Sequence, residues 1–213
     1  DAQADVALLG ILDHLDALGL GDASEFYLSG HSAGGQFTER FTWAHPDRIT
    51  AAMVSAPGSR LFPDEHERYP LGSSPNYARP ASDGVDIAAN LPDVLDTRLI
   101  YRVGEFDREV INANFQQYPM AAQQGLTRIH RTVNMYEAMN DIAPSAGRLS
   151  ATLDYQVVVM EGIGHSGTSS PAEAATFYRM MLAPKVESDV FVYPRLVAQP
   201  TADASRAALP AHV

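Results

Sequence analysis

The stretch Phe26-Tyr27-Leu28-Ser29-Gly30-His31-Ser32-Ala33-Gly34-Gly35 decides the fold of this chain. It begins with a short apolar run and fits the pattern G-x-S-x-G from Gly30 to Gly34. About 0.07 such matches are expected by chance in a chain of this length, so chance is a poor explanation. The context predicts a strand, a sharp turn at Ser32 and then a helix, which together present a serine on a strained turn. Glycines are expected beside that serine because side chains there would collide with the strand and the helix.

The segments around this stretch alternate between strands and helices. Strands are predicted at 26–29, 49–56, 99–103 and 155–160, and helices at 2–18, 34–44, 127–141 and 171–182. The segments 57–96 and 104–125 are predicted to be loops with little regular structure. This alternation predicts an α/β fold with a doubly wound, mostly parallel sheet.

The length of 213 residues predicts one domain. We assign residues 1–183 to that domain and residues 184–213, rich in Pro and Ala, to a tail or linker. The tail has at most one short strand, at 190–193. The first helix is expected to bury an apolar face with helical spacing, made of Leu8, Ile11, Leu12, Leu15 and Leu18.

Composition excludes several classes of protein. The net charge of -11, from 15 basic and 26 acidic residues, argues against nucleic acid or an anionic membrane as a partner. The chain has no cysteine, which excludes disulfides, a thiolate nucleophile and zinc–thiolate sites. No apolar run approaches the ~18 residues that a membrane span requires. The cellular compartment stays open.

Polar side chains follow three of the predicted strands. Ser32 follows the first strand, Asp107 follows strand 99–103, and His165 follows strand 155–160. Because sites in open parallel sheets form at the carboxyl ends of the strands, we expect these residues to meet. A serine nucleophile needs a base to take its proton and a third group to orient that base. The chain order Ser, Asp, His is the α/β-hydrolase order.

Other residues compete for these roles. Glu105 lies in the same loop as Asp107, and we prefer Asp107 because it lies further along the loop, with Glu105 left to bind the loop itself. His31 is expected to point away from the base and to be structural or part of a pocket wall. Asp154 precedes its strand and lies at the wrong end of the sheet. Gly162 and Gly164 favour a loop that approaches another backbone closely.

The backbone N–H of Ala33 is the predicted first donor of the oxyanion hole. The second donor normally follows an earlier strand, and the sequence before Ser32 offers none. We expect no cofactor and no metal. Four aromatic residues either line a substrate pocket or simply pack in the core: Phe37, Tyr69, Phe115 and Tyr118.

Three segments resemble the motifs of the α/β-hydrolase superfamily: Gly30–Gln36, Gly104–Asp107 and Gly162–His165. They are similar to those of bacterial carboxylesterases related to polyhydroxybutyrate depolymerases and feruloyl esterases. The resemblance covers roughly residues 2–182. It implies the C-terminal two-thirds of an α/β-hydrolase fold, lacking the N-terminal strands and the upstream oxyanion loop.

These observations predict a serine hydrolase that cleaves a small or polymeric carboxylic ester through an acyl-enzyme. A serine peptidase on the same fold and a non-catalytic hydrolase relic are the alternatives. The first strand should be central in a complete sheet, so we expect its outer edge to be covered by a separate N-terminal segment or by a second copy.

Overall fold

A parallel sheet of four strands organises the part of the chain that the computed structural model describes. The strands lie in the order β1 (Phe26–His31), β2 (Ile49–Ser55), β3 (Arg98–Gly104) and β4 (Tyr155–Met160). The described residues are 4–75, 85–110, 120–149, 153–165, 178–179 and 181–182. Because all four strands are parallel, their carboxyl ends lie at one edge of the sheet.

Both faces of the sheet are buried, as the doubly wound prediction requires. Alternate residues of β2 point to opposite faces: Ala52 and Val54 belong to the larger core, and Ala51 and Met53 to the smaller one. Strands buried on both sides need nearly continuous apolar sequence, and β2 is apolar at five of its seven positions.

The predicted strands are correct in position and differ only at their ends. The strand predicted at 155–160 has the same bounds as β4, and β3 gains one residue at each end. β1 extends to His31, two residues beyond its predicted end. The strand therefore continues into the glycine-rich motif and ends directly before Ser32.

The described helices are α1 (Ala4–Ala17), α2 (Ala33–Ala44), α3 (Leu91–Asp96), α4 (Met120–Gln123) and α5 (Arg128–Ile142). Helices α3 and α4 correct the prediction that 57–96 and 104–125 have little regular structure. In α3, Pro92 occupies the first turn, where no intrahelical N–H bond is lost, so the proline does not prevent the helix. Residues 178–179 and 181–182 of the predicted helix 171–182 are helical; its other residues, and the tail at 184–213 with its strand at 190–193, lie outside the described residues.

The apolar face predicted for α1 is only partly buried. Leu8 packs against the larger core, but Ile11 and Leu18 are 59% and 58% exposed. The helix is held instead by polar contacts with the end of α2: the buried Asp5 carboxylate lies 2.9 Å from His45 Nε2. The core described beside α1 is therefore too small to cover its apolar face.

A buried ion pair fixes the long excursion that follows β2. Arg60 Nη1 donates to Glu39 Oε1 at 2.8 Å, and the Leu61 N–H donates to the other carboxylate oxygen at 3.0 Å. Arg60 also donates to Thr132 Oγ1 at 2.8 Å and lies over the Tyr101 ring. Because Glu39 belongs to α2 and Thr132 to α5, one guanidinium joins the excursion to two helices beneath it.

Candidate active site

Ser32 occupies a strained turn between β1 and α2. Its φ of 55° and ψ of -115° lie where residues with a Cβ rarely occur. The Ser32 N–H donates to the carbonyl of Ser55, at the end of β2, at 2.9 Å. The turn therefore holds the serine side chain at the carboxyl edge of the sheet, as the sequence predicts for a nucleophile.

Close packing explains two of the glycines around Ser32. A Cβ at Gly30 would collide with the carbonyl of Gly34, and a Cβ at Gly35 would lie 2.6 Å from the Ser55 carbonyl oxygen. At Gly34 a Cβ would meet nothing within 4 Å. The prediction that both glycines of the pentapeptide avoid a collision is thus wrong for Gly34, and Gly35 is the second residue that must lack a side chain.

The structure brings Ser32, His165 and Asp107 into one hydrogen-bonded chain. His165 Nε2 lies 3.1 Å from Ser32 Oγ, and His165 Nδ1 lies 2.9 Å from Asp107 Oδ2. The Asp107 side chain is fully buried, whereas about a third of the His165 side chain is exposed. A carboxylate can only accept, so Nδ1 carries the proton and Nε2 is left to accept one from the serine hydroxyl.

Backbone contacts hold the loops after β3 and β4 together. The Phe106 N–H donates to the Ile163 carbonyl at 2.8 Å, and the Gly162 N–H donates to Glu105 Oε2 at 3.0 Å. Glu105 thus binds the loop, and Asp107 is the carboxylate at the imidazole. The close approach requires glycine at position 104, where a Cβ would collide with Ile163, and not at Gly162, which has open space. Gly162 has instead a positive φ of 71°.

Arg128 contacts Asp107, and the sequence analysis did not identify it. Its Nη1 donates to Asp107 Oδ1 at 2.8 Å and to Glu109 Oε2 at 3.1 Å. Arg128 is the first residue of α5, whose cap is Thr127. The sequence shows the start of a helix here, but nothing in it shows that this start faces a loop twenty residues earlier.

His31 lies against His165, which corrects the expectation that it points away from the predicted base. Its ring centroid is 4.9 Å from that of His165, and its Nδ1 lies 3.2 Å from Ser55 Oγ. Partial burial and then the neighbouring His165 and Arg102 lower the pKa of His31, which favours a neutral ring beside the base.

The N–H of Ala33 belongs to the first residue of α2 and so has no partner within that helix. Its role as a donor to a developing negative charge beside Ser32 stays a prediction. Phe37 and Tyr69 are partly buried and pack against the larger core, so their contacts are those of ordinary core residues. Phe115 and Tyr118 lie outside the described residues. Phe106, which the sequence analysis did not single out, is 58% exposed in the Asp107 loop.

The described residues form neither a metal site nor a membrane span. Within the described ranges, no group of three or more His, Cys, Asp or Glu side chains has a geometry that could hold a metal ion. None of the helices in that part of the chain has both the length and the apolar character needed to cross a bilayer.

The fold is shared with solved hydrolase structures. The chain is similar to the poly(3-hydroxybutyrate) depolymerase LpqC from Bordetella parapertussis, with 23% identity over 92% of this chain and a TM-score of 0.66. It has the α/β-hydrolase fold. Poly(aspartic acid) hydrolase-1 from Sphingomonas sp. KT-1 is similar at 25% identity over 81% of the chain, with a TM-score of 0.62.

The chain spans 61% and 60% of the length of these two structures. No protein-family model matches the sequence, and no curated protein matches it significantly.

Proposed function

We propose that this chain is a serine hydrolase that cleaves carboxylic esters, with Ser32 as nucleophile, His165 as base and Asp107 as the acid that orients the base. The hydrogen-bonded chain from Ser32 Oγ through His165 to Asp107 carries the proposal. The strained turn at Ser32 supports it, because such strain persists only where the surrounding structure imposes it.

The proposed reaction has two halves. Ser32 Oγ bonds to the ester carbonyl carbon while its proton passes to His165 Nε2. The bond from carbon to the alkoxy oxygen then breaks, and Nε2 returns the proton to the departing alcohol. Water next attacks the acyl-serine and gives a proton to Nε2, and this proton returns to Ser32 Oγ as the acid leaves. Asp107 stabilises the imidazolium in both halves.

The carbonyl oxygen becomes negative at each attack and needs N–H donors that are already in position. The first proposed donor is the N–H of Ala33, in the turn that holds the nucleophile. This placement follows from the geometry of the turn, because the residue after the nucleophile begins the helix. One missing donor typically lowers kcat by about 10²–10³.

Covalent labelling tests the nucleophile directly. A fluorophosphonate probe should label the wild-type chain at Ser32, and Ser32→Ala should abolish both labelling and turnover of a short-chain activated ester. Ser29→Ala is the matched control, since Ser29 lies on the same strand and is exposed. Labelling that persists in Ser32→Ala, or that disappears in Ser29→Ala alone, would contradict the assignment.

Amide cleavage is the competing activity. Of the two similar structures, one is named for a polyester and the other for poly(aspartic acid), a polyamide, so their names do not decide the bond. Matched ester and anilide substrates with the same acyl group separate the two. We expect turnover of the ester and no measurable turnover of the anilide, because the amide carbonyl is less electrophilic and its nitrogen must be protonated before it can leave. Equal rates would favour the peptidase.

The outer edge of β1 supports a second proposal. In the described sheet β1 pairs with β2 only. We propose that a strand from a separate N-terminal segment or from a second copy covers this edge and supplies the second oxyanion donor. Residues 1–213 purified alone should then associate in solution and turn over esters slowly. A monomer with ordinary esterase activity would contradict this proposal.

A further inference from the structure

We infer that Arg128 is a positioning residue that fixes the Asp107 carboxylate and, by its charge, keeps the His165 imidazole in its neutral, proton-accepting form. The inference rests on the proposed function of Ser32, His165 and Asp107. Each carboxylate oxygen of Asp107 has its own partner: Oδ2 accepts from His165, and Oδ1 accepts from Arg128 Nη1 at 2.8 Å. Two partners on opposite oxygens fix the plane of the carboxylate.

Arg128 is itself held rigidly. It begins α5, where the Thr127 side chain accepts the N–H of His130 at 3.2 Å and caps the helix. Thr132 Oγ1 donates to the Arg128 carbonyl at 2.8 Å and also accepts from the buried Arg60. The arginine therefore projects from a fixed helix start toward a carboxylate in a separate loop.

The charge of Arg128 opposes protonation of the base. A buried carboxylate with no second partner would stabilise the imidazolium strongly. The guanidinium offsets part of that negative charge, with its own side chain only 15% exposed and so poorly screened by water. His165 thus keeps its hydrogen bond to Asp107, but the net negative charge next to its ring is smaller than that of the carboxylate alone.

Other charged or titratable groups surround the imidazole, and the Arg128 contribution must be separated from theirs. The groups with contacts or charge effects at this site are His31, Arg102, Glu105, Asp107, Glu109 and Arg131. Glu109 is informative among them because its exposed carboxylate shares Arg128 Nη1 with Asp107. It therefore weakens the effect of Arg128 without contacting the base.

Titration of the imidazole tests the inference without any turnover. The chain has seven histidines, and heteronuclear NMR of their ring nitrogens follows each one against pH, with His165→Gln identifying the relevant signal. In Arg128→Met the pH at which His165 takes up its proton should rise by about one unit. Arg128→Lys should stay close to the wild type because it keeps the charge. A protonation pH that stays or falls in Arg128→Met would overturn the inference.

Two further variants control the experiment. Arg148→Met removes a guanidinium that pairs with Asp96, which lies just before β3 at the amino edge of the sheet, opposite the site. His165 should titrate in this variant as in the wild type. Glu109→Gln changes an exposed residue and should not impair folding. It therefore tests the effect of charge on His165 even if Arg128→Met does not fold. It should lower the protonation pH by a few tenths of a unit. No change in Glu109→Gln would then reject the charge argument.

Kinetics separates positioning from simple support of the fold. In an active preparation, Arg128→Met should lower kcat about tenfold with little change in KM, and should move the acidic limb of kcat/KM upward in pH. A purely structural role would lower the amount of active enzyme, measured by fluorophosphonate titration, and leave that limb in place. If Ser32 is not the nucleophile the kinetic arm fails, but the NMR titration still reports on Arg128.

Discussion

Breaking the buried pair of Arg60 and Glu39 should destabilise the fold far more than breaking any exposed pair. The Glu39 side chain is 2% exposed and that of Arg60 is fully buried. The carboxylate accepts two hydrogen bonds, one from the guanidinium at 2.8 Å and one from the Leu61 N–H at 3.0 Å. The substitutions are Glu39→Gln, Arg60→Met and the two together.

The magnitude follows from the burial of both partners. Removing one member of a buried pair leaves an uncompensated charge and typically costs about 3–5 kcal/mol. Glu39→Gln keeps the shape and an acceptor for the Leu61 N–H, so we expect a loss of about 3 kcal/mol in the free energy of unfolding. A domain is stable by about 5–15 kcal/mol, so this loss is large but leaves the protein folded. In the double variant no buried charge is left unpaired, and its loss should be at least about 2 kcal/mol smaller than the sum of the two single losses.

Urea denaturation measures these losses. With a slope of about 3 kcal/mol per molar urea, Glu39→Gln should lower the midpoint by about 1 M. Burial raises the pKa of Glu39 even though Arg60 opposes the shift. Without Arg60 the pKa should rise further, so Glu39 can take up a proton in Arg60→Met. The loss of unfolding free energy caused by Arg60→Met should therefore be smaller at about pH 5 than at about pH 8. The loss caused by Glu39→Gln should not change over this range. Single losses below about 1 kcal/mol, or losses that simply add, would refute the reasoning.

The turn, the acidic side chain and a half-buried histidine give the remaining predictions. Gly35→Ala should cost about 1–3 kcal/mol and abolish fluorophosphonate labelling, whereas Gly34→Ala, which meets nothing, should stabilise α2 by up to about 1 kcal/mol in urea denaturation. Asp107→Asn should lower kcat about 10⁴-fold, and a larger effect of Glu105→Gln would show that the wrong carboxylate was chosen. Partial burial and a neighbouring arginine lower the pKa of His130. As the pH falls below about 6.5, His130 is therefore protonated in the unfolded chain before it is protonated in the folded one, and the stability of the fold decreases. His130→Gln should therefore lose less stability between about pH 7 and about pH 5, and an unchanged pH slope in denaturation would contradict this.

The sheet could be predicted because its signal is local. Short apolar runs separated by helical patterns identify strands, and parallel order places their carboxyl ends together. These local signals are enough to predict that Ser32, Asp107 and His165 lie at one edge of the sheet. Whether they act as nucleophile, acid and base stays a prediction until labelling and kinetics are measured.

The remaining features depend on tertiary contacts that no local pattern contains. His31 is expected from the sequence to point away from the base, but Ser32 leaves the strand with a positive φ, so strand alternation does not relate these two neighbouring side chains. Arg128 contacts Asp107 from a separate helix, so neither sequence neighbourhood predicts the pair. The burial of Arg60 likewise depends on Glu39 and Thr132, which lie 21 and 72 positions away.

The unequal crowding of the two glycines after Ser32 has a consequence for sequence divergence. A side chain at position 35 would meet the backbone of β2, and one at position 34 would meet nothing. Selection for a closed turn therefore acts on position 35 and not on position 34. Proteins that share this turn are therefore expected to keep glycine at the position of Gly35 and to accept alanine or serine at that of Gly34. A search pattern that demands glycine at the fifth place of the pentapeptide would overlook such proteins, although their geometry at the serine is the same.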